Sequence, residues 1–248
     1  MDDRSPLPSA PSLGKVLPDV FASPSEVFQS LKNTAPSPIL WVMPLIATLL
    51  IVIMTSIMLF TNESLKAEMK DIQSKTFQKR VDEGKLTQEQ ADKAETNIES
   101  MGGMMIAIVF VGGAIFMVAF YFGGALFLWL ANKIILKSAV GYGKHLEMYG
   151  IASWIGVLGG IITVLMMVGL GSSAATPSGA LVLLGSFDPT NKLHMLLASL
   201  NIFSIWQTAV IGIGLSRLSD KQTGAGMGVA FALWIVWVAL SILLGIAR

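Results

Sequence analysis

Five runs of 20 residues or more in this chain contain no Asp, Glu, Lys or Arg. That pattern leaves little choice of fold. In lipid every backbone N–H and C=O must be satisfied within the protein, so charge-free apolar runs of this length cross as helices. The runs lie at about 39–60, 104–130, 148–170, 193–215 and 227–246. The expected fold is all-α: a polytopic membrane helical bundle of five transmembrane helices. Only 13% of the residues are charged, against about 25% in an average soluble domain.

The first run is the clearest. Ile39 to Phe60 holds 22 residues, 13 of them Leu, Ile, Val or Phe. At roughly −0.3 to −0.6 kcal/mol each, these favour insertion by about 4 to 8 kcal/mol before polar corrections. Pro44 falls in the first two turns, where its missing N–H costs least. Residues 1–38 form the N-terminal arm. Its seven charges and lack of an apolar start argue against a cleaved secretory signal. Residues 1–22 read as a flexible proline-rich stretch. Ser23-Pro24-Ser25-Glu26 then looks like a helix start, with Ser23 as cap, Pro24 in the first position and Glu26 reaching back. Val27, Phe28 and Leu31 would share one face of the short helix that follows, which either lies at the membrane interface or packs on the bundle.

Residues 61–103 differ in kind, with seven basic and nine acidic side chains. Helix formers run from Glu63 to Asp82, Gly84 interrupts them, and Thr87-Gln88-Glu89-Gln90 fits a capping box opening a second helix. The expectation is an extramembrane polar helical hairpin between the first and second spans. Ile72, Phe77, Val81, Leu86 and Ile98 would hold its arms together. Its acidic residues lack EF-hand spacing. Residues 171–192 read as a loop whose apolar piece Leu181–Leu184 is too short to span.

Glycines mark candidate helix contacts. Gly112 and Gly123 stand eleven apart, while Gly156 with Gly160 and Gly224 with Gly228 form small-xxx-small pairs. Trp41, Tyr149 and Trp154 are candidate interface anchors. Asn201, Gln207 and Thr208 are the notable polar residues of the fourth run; they either hold helices together or line a path. Lys and Arg in the short segments number eight on the side of the N-terminal arm (residues 1–38, 131–147 and 216–226) and two on the other. The positive-inside rule therefore puts the N-terminus in the cytoplasm and the hairpin on the far side.

Gly143-Lys144 followed by Tyr149-Gly150-Ile151-Ala152-Ser153-Trp154-Ile155-Gly156 resembles the entry to the third span of the Yip family, the Ypt/Rab-interacting membrane proteins. Leu200-Asn201-Ile202-Phe203-Ser204-Ile205-Trp206-Gln207, with Gly212 and Gly214-Leu215-Ser216, resembles its prokaryotic branch, as does Phe21-Ala22-Ser23-Pro24 with Val27-Phe28. The resemblance covers residues 20–246 and implies five spans, a cytoplasmic N-terminus, no catalytic activity and a prokaryotic cell (inner) membrane. Eukaryotic members act in vesicle traffic and bind Rab GTPases. That partner does not carry over, because the Asp-Leu-Tyr-Gly-Pro-type motif is absent and the hairpin is an insertion.

The search for chemistry points the same way. The chain has no cysteine, which excludes disulfides and thiolate metal sites. A formal net charge of +1 gives no field for nucleic acid. The five runs carry no intramembrane carboxylate or lysine, the usual mark of ion coupling. His145 and His194 sit near span ends without a second metal ligand at suitable spacing. Met101, Met104 and Met105 could bind copper(I) but read as apolar contacts. No Gly-x-Ser-x-Gly elbow occurs. No cofactor is expected. The chain reads as a non-enzymatic scaffold or partner-binding module contacting membrane lipid. Protein partners would meet the arm or the 61–103 hairpin, and glycine faces would allow a homo-oligomer. The alternative is a small permease or a subunit of a transport complex.

Overall fold

The computed structural model describes residues 7–244, the side chains of residues 99, 101–107 and 109 excepted. The Met101, Met104 and Met105 side chains, Arg4, Arg248 and the end of the fifth run lie outside the described residues. The described helices run in the order α1 (Leu13–Ala22), α2 (Pro24–Leu31), α3 (Ile39–Thr61), α4 (Glu63–Asp82), α5 (Gln88–Ile135), α6 (Tyr142–Leu170), α7 (Lys192–Ser199), α8 (Ile202–Leu218) and α9 (Thr223–Leu244). A 3₁₀ turn at Gly179–Leu183 precedes α7.

Among the described residues, four stretches are long and apolar enough to cross a membrane: α3, residues 110–135 of α5, α6 and α9. Just 11% of the most apolar part of α3 is buried within the chain, as expected of a helix whose remaining surface meets lipid.

Several boundaries depart from the sequence reading. Residues 13–22, read as flexible, form α1 despite Pro18 within it. The gain is burial: Val16 and Val20 are within the core. Pro24 does take the first position of α2, but the Ser23 side chain makes no capping bond. Ser23 also ends α1, with its N–H donating to Asp19 O at 2.7 Å, and its backbone serves two helices at once. The second arm of the charged segment and the second span are one continuous helix, α5, of 48 residues. The run at 193–215 is not one helix. It breaks at Leu200–Asn201 into α7 and the 17-residue α8. The cause is non-local. Asn201 pairs with Ser178 in an isolated antiparallel bridge, and a residue so paired cannot continue the helical ladder.

The chain divides into two compact units. The first comprises residues 1–49, 118–160 and 202–240. Its core joins Val27, Phe28 and Leu31 to Leu40, Met148, Ile151, Ile155 and Leu215. The apolar face of α2 is therefore packed on the helical core, chiefly on α8. Burying Phe28 fully contributes about 2 to 3 kcal/mol by area.

The second unit comprises residues 50–117, 161–201 and 241–248. Asn62 caps α4 by accepting from the N–H groups of Ser64 and Leu65. Thr87 and Gln90 form the reciprocal capping box: Thr87 N–H donates to Gln90 Oε1 at 2.9 Å and Gln90 N–H to Thr87 Oγ1 at 3.2 Å. Ile72, Phe77, Val81, Leu86 and Ile98 are all half-buried. Glu68 ties α4 to the segment after α6, accepting from Ser172 Oγ at 2.7 Å and from Ser173 N–H. Lys79 donates to Thr190 Oγ1 at 2.7 Å. The apolar piece at 181–184 lies in and beside the 3₁₀ turn, which packs on α7; there a Cβ on Gly179 would fall 2.9 Å from Leu197 O.

Candidate functional site

Polar groups within the first unit gather where α5 ends, α6 begins and α8 turns toward α9. Two sets of them are buried. The first is a chain of hydrogen bonds through Asn132 and His145, both fully buried. The Ser219 hydroxyl lies 2.6 Å from Asn132 Oδ1 and also contacts Leu215 O. Asn132 Nδ2 faces His145 Nε2 at 2.7 Å, and His145 Nδ1 faces Gly141 O at 3.0 Å. An amide nitrogen only donates and a carbonyl only accepts, so Nε2 is the acceptor and Nδ1 carries the proton. The imidazole is thus held as one tautomer, with both nitrogens occupied.

The second set is an ion pair. Lys144 Nζ donates to Glu147 Oε2 at 2.7 Å, with the side chains 13% and 4% exposed. Lys144 also reaches Thr34 Oγ1 and Ala35 O, each at 3.1 Å. The other oxygen of Glu147 accepts from Ser37 N–H at 2.8 Å. A buried charge pair is tolerated only when its remaining donors and acceptors are satisfied. Here the residues that satisfy it belong to the link between α2 and α3. The pair therefore pins the N-terminal helices to α6. Further out, Arg217 Nε donates to Ser25 Oγ at 2.8 Å, and Lys32 pairs with Asp220.

The helices of this unit approach most closely at glycines. A Cβ on Gly150 would stand 2.5 Å from Trp41 Cα and 2.6 Å from Leu40 O. On Gly159 it would meet Phe203 Cβ at 2.6 Å, and on Gly212 it would meet Met227 Cα at 2.8 Å. Gly226 lies against Gly212 O and Ser216, whose hydroxyl accepts from Gly226 N–H at 3.0 Å. Helices that lack a hydrophobic drive toward each other gain by such backbone proximity.

The residues singled out in the sequence fall unevenly on this map. Gly156 meets Gln207, whose Oε1 would be 2.8 Å from an added Cβ. Among the described residues, nothing lies within 4 Å of that position at Gly112, Gly123, Gly224 or Gly228. Gly160 is half-buried. Thr208 is buried and bonds back to Ser204 O at 2.7 Å. Asn201 forms the isolated bridge with Ser178. Trp41 packs edge-on against Phe122, and its carbonyl accepts from Tyr121 Oη at 3.0 Å. Tyr149 packs on Tyr121 with ring centroids 5.0 Å apart. Trp154 packs against the core, and its buried Nε1 has no hydrogen-bond partner among the described residues. His145 was legible only as a residue near a span end, and Asn132, Lys144 and Glu147 gave no signal as a set. Glu147 meets Ser37 across 110 positions of sequence, and no local spacing marks that pairing.

The Yip1 domain model matches residues 19–247, nearly the whole chain. The chain belongs to the Yip1 domain family. No curated protein and no solved structure matches it. The Yip1 domain thus takes in α2 and its packing on α8 along with the apolar helices, and it begins within α1. Membership in this membrane-protein family agrees with several helices apolar enough to cross a bilayer.

Proposed function

We propose that this chain is a five-crossing, non-enzymatic scaffold of the Yip type, in which the N-terminal helices and the charged 61–103 segment serve as two docking platforms for protein partners. The observation that carries this is the use made of the buried polar groups. Lys144 and Glu147 satisfy each other and the backbone of Ala35 and Ser37, while Asn132 and His145 satisfy each other and the carbonyl of Gly141. The partners of Lys144 and Glu147 hold the N-terminal platform against α6.

The fifth crossing would be supplied by α8. Its 17 residues make about 26 Å of helix, a little short of the ~30 Å hydrocarbon core. Alpha-helical α7 continues past the break, and the bridge between Asn201 and Ser178 satisfies backbone that would otherwise be exposed at depth. Four long helices and α8 put the termini on opposite sides. Eight Lys and Arg in the short segments on the N-terminal side support a cytoplasmic N-terminus under the positive-inside rule, and the membrane would be a prokaryotic cell membrane, as the resemblance implies.

The absence of cysteine makes the test direct. Single cysteines at Ser9, Lys85, Lys137, Ser186 and Lys221 would be labelled in intact cells with a membrane-impermeant maleimide. Lys85 and Ser186 should react from outside, while Ser9, Lys137 and Lys221 should react only after lysis. Ser9 and Lys85 labelling from the same side would overturn the topology. For docking, charge reversal at exposed Arg80 and Asp82 should abolish capture of a specific partner while leaving thermal stability unchanged. Unchanged capture would remove the charged segment from the proposal.

A further inference from the structure

The polar face of α2 and the last turn of α8 border a shallow, open groove of about 490 Å³, lined by Ser25, Glu26, Gln29, Ser30 and Arg217. Two opposite charges share it, and among the described residues neither has an ion-pair partner. Arg217 is anchored through Nε by Ser25, with one long contact from Nη2 to Thr223 Oγ1 at 3.5 Å. That leaves most of the guanidinium fork free to donate. Glu26 is exposed on the same face. Opposite charges that line one groove without meeting call for a ligand that is itself a zwitterion.

We infer that this groove binds a phospholipid headgroup carrying a phosphodiester and a primary ammonium, of the phosphoethanolamine type. The Arg217 fork suits a phosphate, to which planar guanidinium donates two parallel bonds. Glu26 accepts from the ammonium, and Ser25, Gln29 and Ser30 supply neutral polar contacts. Position favours a lipid over a free solute. Arg217 stands where the apolar stretch of α8 ends, the level at which headgroups lie. Glu26 also sets specificity. A phosphoglycerol headgroup brings negative charge to it with no compensating cation, and a choline headgroup has no N–H to donate. The site does not depend on the scaffold role, but it rests on the reading of α8 as a crossing, which the cysteine-labelling experiment tests separately.

The test uses the full chain purified in detergent with equimolar ethanolamine, choline and glycerol phospholipids of identical acyl chains. Retained lipid is counted by native mass spectrometry. The chain should keep the ethanolamine lipid about tenfold over the other two, the factor expected of one charge-assisted hydrogen bond. Glu26→Gln, at an exposed position, should bring ethanolamine and choline lipids close to parity. Arg217→Lys should lower retention of all three. Equal retention of the three lipids by the unaltered chain would overturn the inference, and so would an undiminished ethanolamine preference in Glu26→Gln. Soluble phosphoethanolamine is the control for source. It should fail to displace the lipid at equal concentration, and displacement would overturn the lipid assignment.

Discussion

The side-chain amide of Asn132 lies 2.7 Å from Nε2 of His145, and both residues are sealed from solvent. Among the described residues, each satisfies the other's buried nitrogen. Asn132→Leu would keep the volume but strand the His145 nitrogen, and would take from Ser219 one of its two acceptors. A buried polar group left unpaired costs about 1 to 3 kcal/mol, so the variant should unfold more easily by that amount. Thermal unfolding in detergent, followed by circular dichroism, would check this. An unchanged midpoint would mean the amide is hydrated rather than bonded to the ring.

The Lys144 to Glu147 pair predicts a change that can be seen far from the substitution. Lys144→Met removes the cation and leaves a carboxylate that is 4% exposed, a loss of about 3 to 5 kcal/mol for a buried pair. The lost contacts are to Thr34 and Ala35, so the N-terminal helices should loosen first. Trypsin should then cut after Lys15 and Lys32 in the folded variant and spare both sites in the unaltered chain. Cleavage confined to the charged 61–103 segment in both proteins would show that the pair does not hold the arm.

The close-approach glycines give a matched comparison. Gly150→Ala puts a methyl 2.5 Å from Trp41 Cα, and backbone cannot step aside as a flexible side chain can. Overpacking of this kind costs about 1 to 3 kcal/mol. Gly112→Ala meets nothing within 4 Å and gains about 1 kcal/mol of helix propensity. The two variants should therefore move the unfolding midpoint in opposite directions. Should Gly112→Ala destabilise instead, its open face would be a contact with a second copy, and dissociation of an oligomer should accompany the loss.

What was legible in the sequence follows from the range of each signal. Apolar runs and capping residues act over a few positions, and α3 and the Thr87–Gln90 box appear where the pattern puts them. The break at Leu200–Asn201 depends on Ser178, 23 residues earlier, and nothing near position 201 announces it. Helix α1 was missed for a similar reason. Pro18 and the proline-rich surroundings argue locally against helix, while burial of Val16 and Val20 by the rest of the unit outweighs them. Glycine spacing shows which helices can pack closely, but not which glycine faces a neighbour. Gly150 and Gly226 do so without belonging to any of the spaced pairs singled out.

Asp188 gives the loop before α7 a defined acid sensitivity. Partial burial raises its pKa, but this is outweighed by hydrogen bonds from the Thr190 hydroxyl at 2.6 Å and the Thr190 N–H at 2.8 Å, with help from the charges of Lys79 and His194, so the net shift is downward. A carboxylate whose folded pKa is depressed contributes stability that is fully present above its unfolded value, about 3.9. That contribution is lost as pH falls through the folded value. Protection of the amides of residues 186–191 against hydrogen exchange should therefore hold from neutral pH down to about pH 5, once the intrinsic rate is corrected for, and decline below it. In Asp188→Asn the decline should disappear, because the amide keeps one acceptor for Thr190 without titrating. A decline of equal size in the variant would assign the acid response to another group.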